Sequence, residues 1–231
     1  GNNISNNYYE GVYINSIGSG SSVHLNQNTI ESNGTSEGYS GIYLNQIINS
    51  DVTIQNNSAI SSNGQYGIYF NGFSGSEGNL SILTISGNQI TNNNYTGVYL
   101  SGGGNSVSYG EVTISDNTIS GNGSGGLFGG DGAREGIYAD VITDSIFTVS
   151  GNTIGTYVDD EGNEYSGNSG SGIYICAEGY CEDSDITING NTISTNGNYG
   201  IYLYDTDDLS EITIGPDNVI SDNTNAGIYL N

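Results

Sequence analysis

Basic residues are almost missing from this chain. A single arginine, Arg134, and a single histidine, His24, stand against 25 Asp and Glu in 231 residues, for a formal net charge of -24. Such a field repels nucleic acid and anionic membrane surfaces and attracts cations. Methionine and tryptophan are absent and proline occurs once. No run of 18 apolar residues exists, so no segment has the length and apolarity of a membrane-spanning helix, and membrane insertion is not expected. Two cysteines and one histidine are too few for a zinc site. Cys176 and Cys181 instead read as a local disulfide formed in an oxidising compartment.

What the chain does have is repetition. Charged residues make up only 11% of it, and Asn, Ser, Thr and 38 Gly supply most of the polarity. Disordered low-complexity sequence shares that composition but lacks a regular apolar period. Here the tetrapeptide Gly-Ile-Tyr-Leu, or a close variant, begins at Gly11, Gly41, Gly67, Gly97, Gly136, Gly172, Gly200 and Gly227. Ahead of it runs a second element resembling Val-Thr-Ile-Ser-Gly-Asn-Thr-Ile-Ser-x-Asn, with good copies at Val112 to Asn122 and Ile186 to Asn196. The pieces are short, β-branched and alternating, with Gly and Asn between them, which predicts strands rather than helices. Each repeat then offers three strands: Val-Thr-Ile, Asn-Thr-Ile and Gly-Ile-Tyr-Leu. None can bury its apolar side alone, and stacking equivalent strands from successive repeats gives a solenoid with one coil per repeat.

Two sets of asparagines keep register with the strands. One is Asn28, Asn57, Asn88, Asn117, Asn152, Asn191 and Asn218; the other is Asn33, Asn63, Asn93, Asn122, Asn196 and Asn223. Both fall at expected bends, where Asn tolerates left-handed backbone angles and stacked amides can bond between coils. Tyr157 is expected to interrupt the second set, where an acidic insertion begins. The predicted core is Ile54, Ile85, Ile114, Val149, Ile188 and Ile214, with Ile42, Ile68, Val98, Ile137, Ile173, Ile201 and Ile228.

With Gly-Ile-Tyr-Leu and the paired asparagines in place, the sequence resembles the right-handed parallel β-helix repeat proteins, the superfamily that includes pectate-lyase-like folds. Within it the chain resembles a non-catalytic surface or structural member. The resemblance covers essentially the whole chain. It implies an all-β, single-stranded parallel β-helix of about eight coils, each with three short strands, forming one domain over residues 1–231. The same fold hosts lyases, hydrolases, tailspikes and adhesins, so it does not fix an activity.

Catalysis by the family's usual routes lacks its groups. Lyases of the superfamily use Arg or Lys beside bound calcium, and here only Arg134 is present, between Asp131 and Glu135, where a surface ion pair is the simpler reading. Hydrolases use clustered Asp on adjacent coils with a His and a basic pair; His24 instead occupies a place taken by threonine in Thr53, Thr84, Thr113, Thr148, Thr187 and Thr213. That threonine column resembles the ladder of ice-binding solenoids, but His24 interrupts it, and the parallel column contains Ala59, Gln89 and Val219.

Three features are left to carry function. A tyrosine column, Tyr13, Tyr43, Tyr69, Tyr99, Tyr138, Tyr174, Tyr202 and Tyr229, should face outward on every Gly-Ile-Tyr-Leu strand. It reads either as stacking that stabilises the sheet or as an aromatic strip for a partner. Acidic loops containing Asp159, Asp160, Glu161 and Glu164, and Asp205, Asp207 and Asp208, offer oxygen ligands for calcium, though their spacing matches no defined calcium loop. No other cofactor is expected. Finally, the chain enters the repeat at Gly1 and is still in it at Asn231. Uncapped unlike ends predict head-to-tail assembly with itself into a filament. The expected function is an extracellular or cell-surface structural protein, a filament, sheath or adhesin subunit. The alternative is a carbohydrate-active β-helix that binds or cleaves a cell-surface polysaccharide.

Overall fold

The computed structural model describes residues 1–101, 107–124, 134–177, 181–204 and 210–231. Strands of successive coils pair in parallel in three sheets. The first has eight strands, from Asn3–Ser5 to Val219–Ser221, and consists of the Asn-Thr-Ile segments. A second holds the Gly-Ile-Tyr-Leu strands, from Val12–Ile14 to Ile228–Leu230. The third has seven, from Ser22–Asn26 to Glu211–Ile214, and consists of the Val-Thr-Ile segments. Among the strands of the described residues, only a hairpin, Tyr157–Val158 with Glu164–Tyr165, pairs antiparallel. This is the three-faced parallel β-helix expected from the repeat.

Alternation places the core. In the first sheet Ile30, Ile60, Ile90, Ile119, Ile154 and Ile193 are fully buried. Across the lumen they meet Ile54, Ile85, Ile114, Val149 and Ile188 of the third sheet, and Ile42, Ile68, Val98, Ile137, Ile173 and Ile201 of the second. Each fully buried side chain of this size stabilises the fold by about 1.5–3 kcal/mol relative to exposure. Two expected core members differ: Ile214 is only partly buried and Ile228 is 43% exposed. Both lie on the last coil, which has a neighbour on one side only.

The second sheet is wider than its motif. Ile17, Ile47, Phe73, Val107, Ile142 and Cys181 add a further inward column after the Gly-Ile-Tyr-Leu strand. In four coils this column stands three residues past the last core residue of the Gly-Ile-Tyr-Leu strand (Ile17, Ile47, Phe73 and Ile142), but it lies farther on at Val107 and Cys181, so the spacing is not the same in every coil.

The bends depart from expectation in two ways. The left-handed residue is not the ladder asparagine but the one before it: Gln27, Asn56, Gly87, Asp116, Gly151, Gly190 and Asp217 before the first set, Ser32, Ser62, Asn92, Gly121, Thr195 and Asp222 before the second. Gly and short polar residues take that conformation most cheaply, which explains several of the acids as bend residues. Tyr157 also does not break the second ladder. The hairpin loops out, and Asn168 takes the place between Asn122 and Asn196.

The ladders saturate their amides. Asn88 Nδ2 donates to Asn117 Oδ1 (2.9 Å) and to the Ile54 carbonyl (2.9 Å), and the Asn88 backbone N–H also donates to Asn117 Oδ1 (3.0 Å). Asn57 does the same to Asn88, and Asn117 to Asn152. Asn2 and Asn7 extend the two ladders to the first coil. Buried polar groups with every partner in place specify register without the cost of orphaned donors. The third bend carries a serine ladder: Ser145 N–H donates to Ser184 Oγ (3.2 Å), and Ser184 N–H to Ser210 Oγ (3.3 Å). Gly110 replaces serine in one coil, where a Cβ would lie 3.0 Å from the Phe73 ring.

The motif glycine also has a steric reason. A Cβ on Gly97 would lie 2.8 Å from the Gly136 carbonyl oxygen, 2.8 Å from Ile119 Cγ2 and 3.0 Å from Asn122 Nδ2. The glycine leaves room for the asparagine ladder to pass.

Candidate interaction surface

The eight tyrosines of the predicted column are paired in register from Tyr13 to Tyr229. Successive ring centroids lie between 4.4 and 5.4 Å apart. Their geometry alternates. Tyr43–Tyr69, Tyr99–Tyr138 and Tyr174–Tyr202 are stacked, with interplanar angles of 11°, 17° and 13°. The contacts between those pairs, Tyr69–Tyr99 and Tyr138–Tyr174, are edge-on at 64° and 81°. Offset stacks and edge contacts are the two favourable arrangements for aromatic quadrupoles.

Exposure is uneven, contrary to a uniformly outward column. Tyr13 is 53% exposed and Tyr229 38%, but Tyr138 only 5%. The remaining five are half-buried. Further tyrosines, beyond those the motif predicted, widen the strip. Tyr66 stacks on Tyr99 (4.4 Å, 7°) and Tyr199 on Tyr229 (4.9 Å, 17°). They stand one residue before the motif glycine, a signal the tetrapeptide alone does not contain. Burial, with the neighbouring Tyr99 and Tyr202 hydroxyls adding, pushes the Tyr66 and Tyr174 phenols far above their ordinary range. Both stay neutral at any physiological pH.

A polar column runs beside the rings. Asn71 Nδ2 donates to Asn45 Oδ1 (2.9 Å), and Asn45 Nδ2 to Asn15 Oδ1 (3.1 Å). Farther along, Asp140 accepts from Ser101 Oγ (2.6 Å) and from the Tyr138 hydroxyl (2.7 Å). Glu135, two residues before the Ile137–Ala139 strand, is half-buried. Burial pushes its carboxyl up, against hydrogen bonds from its own and the Arg134 backbone N–H and the Thr96 hydroxyl, and the Arg134 charge.

Charge is distributed by face. Asp51, Glu111, Asp185 and Glu211 occupy one exposed outward column of the third sheet, which they share with Ile82 and Ile146. Asp144 and Asp183 lie at left-handed bends. His24 is exposed at the end of the threonine column, as its register predicts.

The other predicted sites fall as follows. Cys176 and Cys181 are joined by a disulfide and fully buried. In the acidic hairpin, Asp159 accepts from the Glu161 and Asn163 backbone N–H groups and from Asn163 Nδ2. These bonds, the Asn163 side chain first, lower its pKa. Its carboxylate serves the turn, and the structure does not gather Asp160, Glu161 and Glu164 around it. Among the described residues no group of three or more His, Cys, Asp or Glu could hold a metal ion. Asp205, Asp207, Asp208 and Asp131 lie outside the described residues.

Stacked parallel strands, internal asparagine ladders and an outward aromatic column define a β-solenoid. A family model described as right handed beta helix region matches residues 1–154 and 40–231, and the chain belongs to that family. Comparison with curated proteins and with solved structures gives no match.

Proposed function

We propose that this chain is an extracellular structural protein, a sheath or fibre element whose tyrosine face is its contact surface with a neighbouring copy. The observation that carries this reading is repetition. The same side chain recurs on one face of every coil, so the surface is periodic along the whole rod. An enzyme needs a local, non-repeating constellation instead. Charge favours the same face. Acids line the third sheet and the bends, whereas the described outward residues of the tyrosine sheet are mostly uncharged. Contact there brings two anionic chains together with the least repulsion. The disulfide suits an oxidising compartment outside the cell.

The alternative, polysaccharide binding, draws support from a different place. Tyr8, 57% exposed, lines a cleft with Asn6, Asn7, Ser32, Thr35 and Ser36, and Tyr9, 59% exposed, packs edge-on against Tyr8. Exposed rings next to amides and hydroxyls suit a sugar. In the column itself the ring faces are largely occupied by neighbouring rings, leaving edges and hydroxyls. Electron microscopy of the purified chain, with a glycan array and a reducing-sugar assay alongside, separates the readings. Fibres or sheets without sugar release support the structural role. Dispersed particles that bind or cleave a glycan overturn it.

A further inference from the structure

We propose that the tyrosine column conducts oxidising equivalents along the solenoid and that Tyr138 is where they come to rest. Two observations on the same strand carry this. First, ring contact is unbroken over eight coils, with centroid separations of 4.4–5.4 Å throughout. Second, Tyr138 is 5% exposed and its hydroxyl donates to the Asp140 carboxylate at 2.7 Å, held in turn by Ser101 Oγ at 2.6 Å.

A phenol that loses an electron becomes strongly acidic, so its oxidation is easiest where a base already accepts its proton. Asp140 is such a base. Tyr13 and Tyr174 donate instead to the Asn15 amide oxygen and the Ala177 carbonyl, which cannot take a proton at ordinary pH. The step balances as follows. A one-electron oxidant, such as a high-potential metal complex, removes an electron from an exposed ring such as Tyr13 or Tyr229, whose proton passes to solvent. That tyrosyl then recovers an electron from Tyr138 through the column and a proton from solvent. The Tyr138 proton moves to Asp140 Oδ1. The products are the reduced oxidant, a neutral Tyr138 radical and a neutral Asp140 carboxyl. Burial then keeps the radical from coupling with another. Tyr8 donates to Glu37 at 2.6 Å and is 57% exposed, so it offers the same chemistry without the shelter.

The test uses the whole chain with photogenerated tris(bipyridine)ruthenium(III) as oxidant and electron paramagnetic resonance as readout. The expected result is a long-lived tyrosyl signal that is lost in Tyr138→Phe, shortened in Asp140→Asn and unchanged in Tyr8→Phe. Tyr99→Phe with Tyr174→Phe keeps the rings but removes the neighbouring redox sites, and should slow the signal's appearance. An unchanged long-lived signal in Tyr138→Phe, or unchanged kinetics in the double variant, overturns the proposal. A wild-type measurement needs no variant to fold: because Tyr138 is buried while Tyr8, Tyr9 and Tyr13 are exposed, the tyrosyl signal should outlast the dityrosine coupling of the exposed rings. A signal that decays together with dityrosine formation contradicts the proposal.

Discussion

The asparagine ladders and the tyrosine column arise from the same operation, one side chain per coil stacked along one axis, yet they have opposite fates. Each interior asparagine is buried with its amide fully engaged by the coils on either side. The tyrosines engage each other through their faces and leave edges and hydroxyls to solvent at several levels. A stacked amide has directional partners only along the axis, so its ladder closes on itself. A stacked phenol keeps a polar tip that points away from the sheet. The ladders therefore fix register and stability, and the column is free to meet something else.

The largest break in this comparison should come from Asn117→Ala. It leaves the Asn88 N–H and one of the two Asn88 Nδ2 hydrogens without their acceptor and takes a donor from the Ile85 carbonyl, all buried. With about 1–3 kcal/mol for each unsatisfied buried group, the loss should be about 4 kcal/mol, read by urea unfolding. A loss below that of any tyrosine substitution would reverse the roles assigned here. Gly97→Ala should come next, at about 1–3 kcal/mol, because its Cβ must displace the Gly136 carbonyl or the ladder. Reducing the Cys176–Cys181 bond should cost about 2 kcal/mol on the chain-entropy model. Free thiols at both positions in native material would remove that support for an extracellular site.

On the tyrosine side, Tyr99→Leu removes edge and stacking contacts with Tyr69, Tyr66 and Tyr138 and should cost only about 1 kcal/mol. The smallest effect is a pH dependence at Glu135. Its folded pKa is raised by burial, so its contribution favours the fold below the unfolded carboxyl's pKa and is lost as pH rises through the folded value. Glu135→Gln should therefore raise the melting temperature at neutral pH and leave it nearly unchanged in mild acid. An equal shift at both would assign the effect to something other than ionisation.

Much of this was legible in the sequence, and the limits have physical causes. Strand identity and the core followed from alternation, because a period of two sends Ile119 in and Thr118 out. The asparagine sets were visible because each bend demands the same residue. Asn168 was missed because counting forward from Asn152 runs into the hairpin. Counting four residues back from Gly172, as Asn93 stands to Gly97 and Asn196 to Gly200, would have found it. The serine ladder escaped because serine is common throughout the chain, although Ser50, Ser81, Ser145 and Ser184 all stand two residues before a third-sheet core residue. The burial of Tyr138 had no signal in its Gly-Ile-Tyr tripeptide, which exposed Tyr229 shares.

The contact role of the tyrosine face is tested most directly by light scattering of the purified chain over a range of protein concentration and salt. With a net charge of -24, self-contact should strengthen as salt screens repulsion. The account predicts an apparent mass that rises with concentration and rises further at high salt. A strictly monomeric species at every concentration and salt would contradict it.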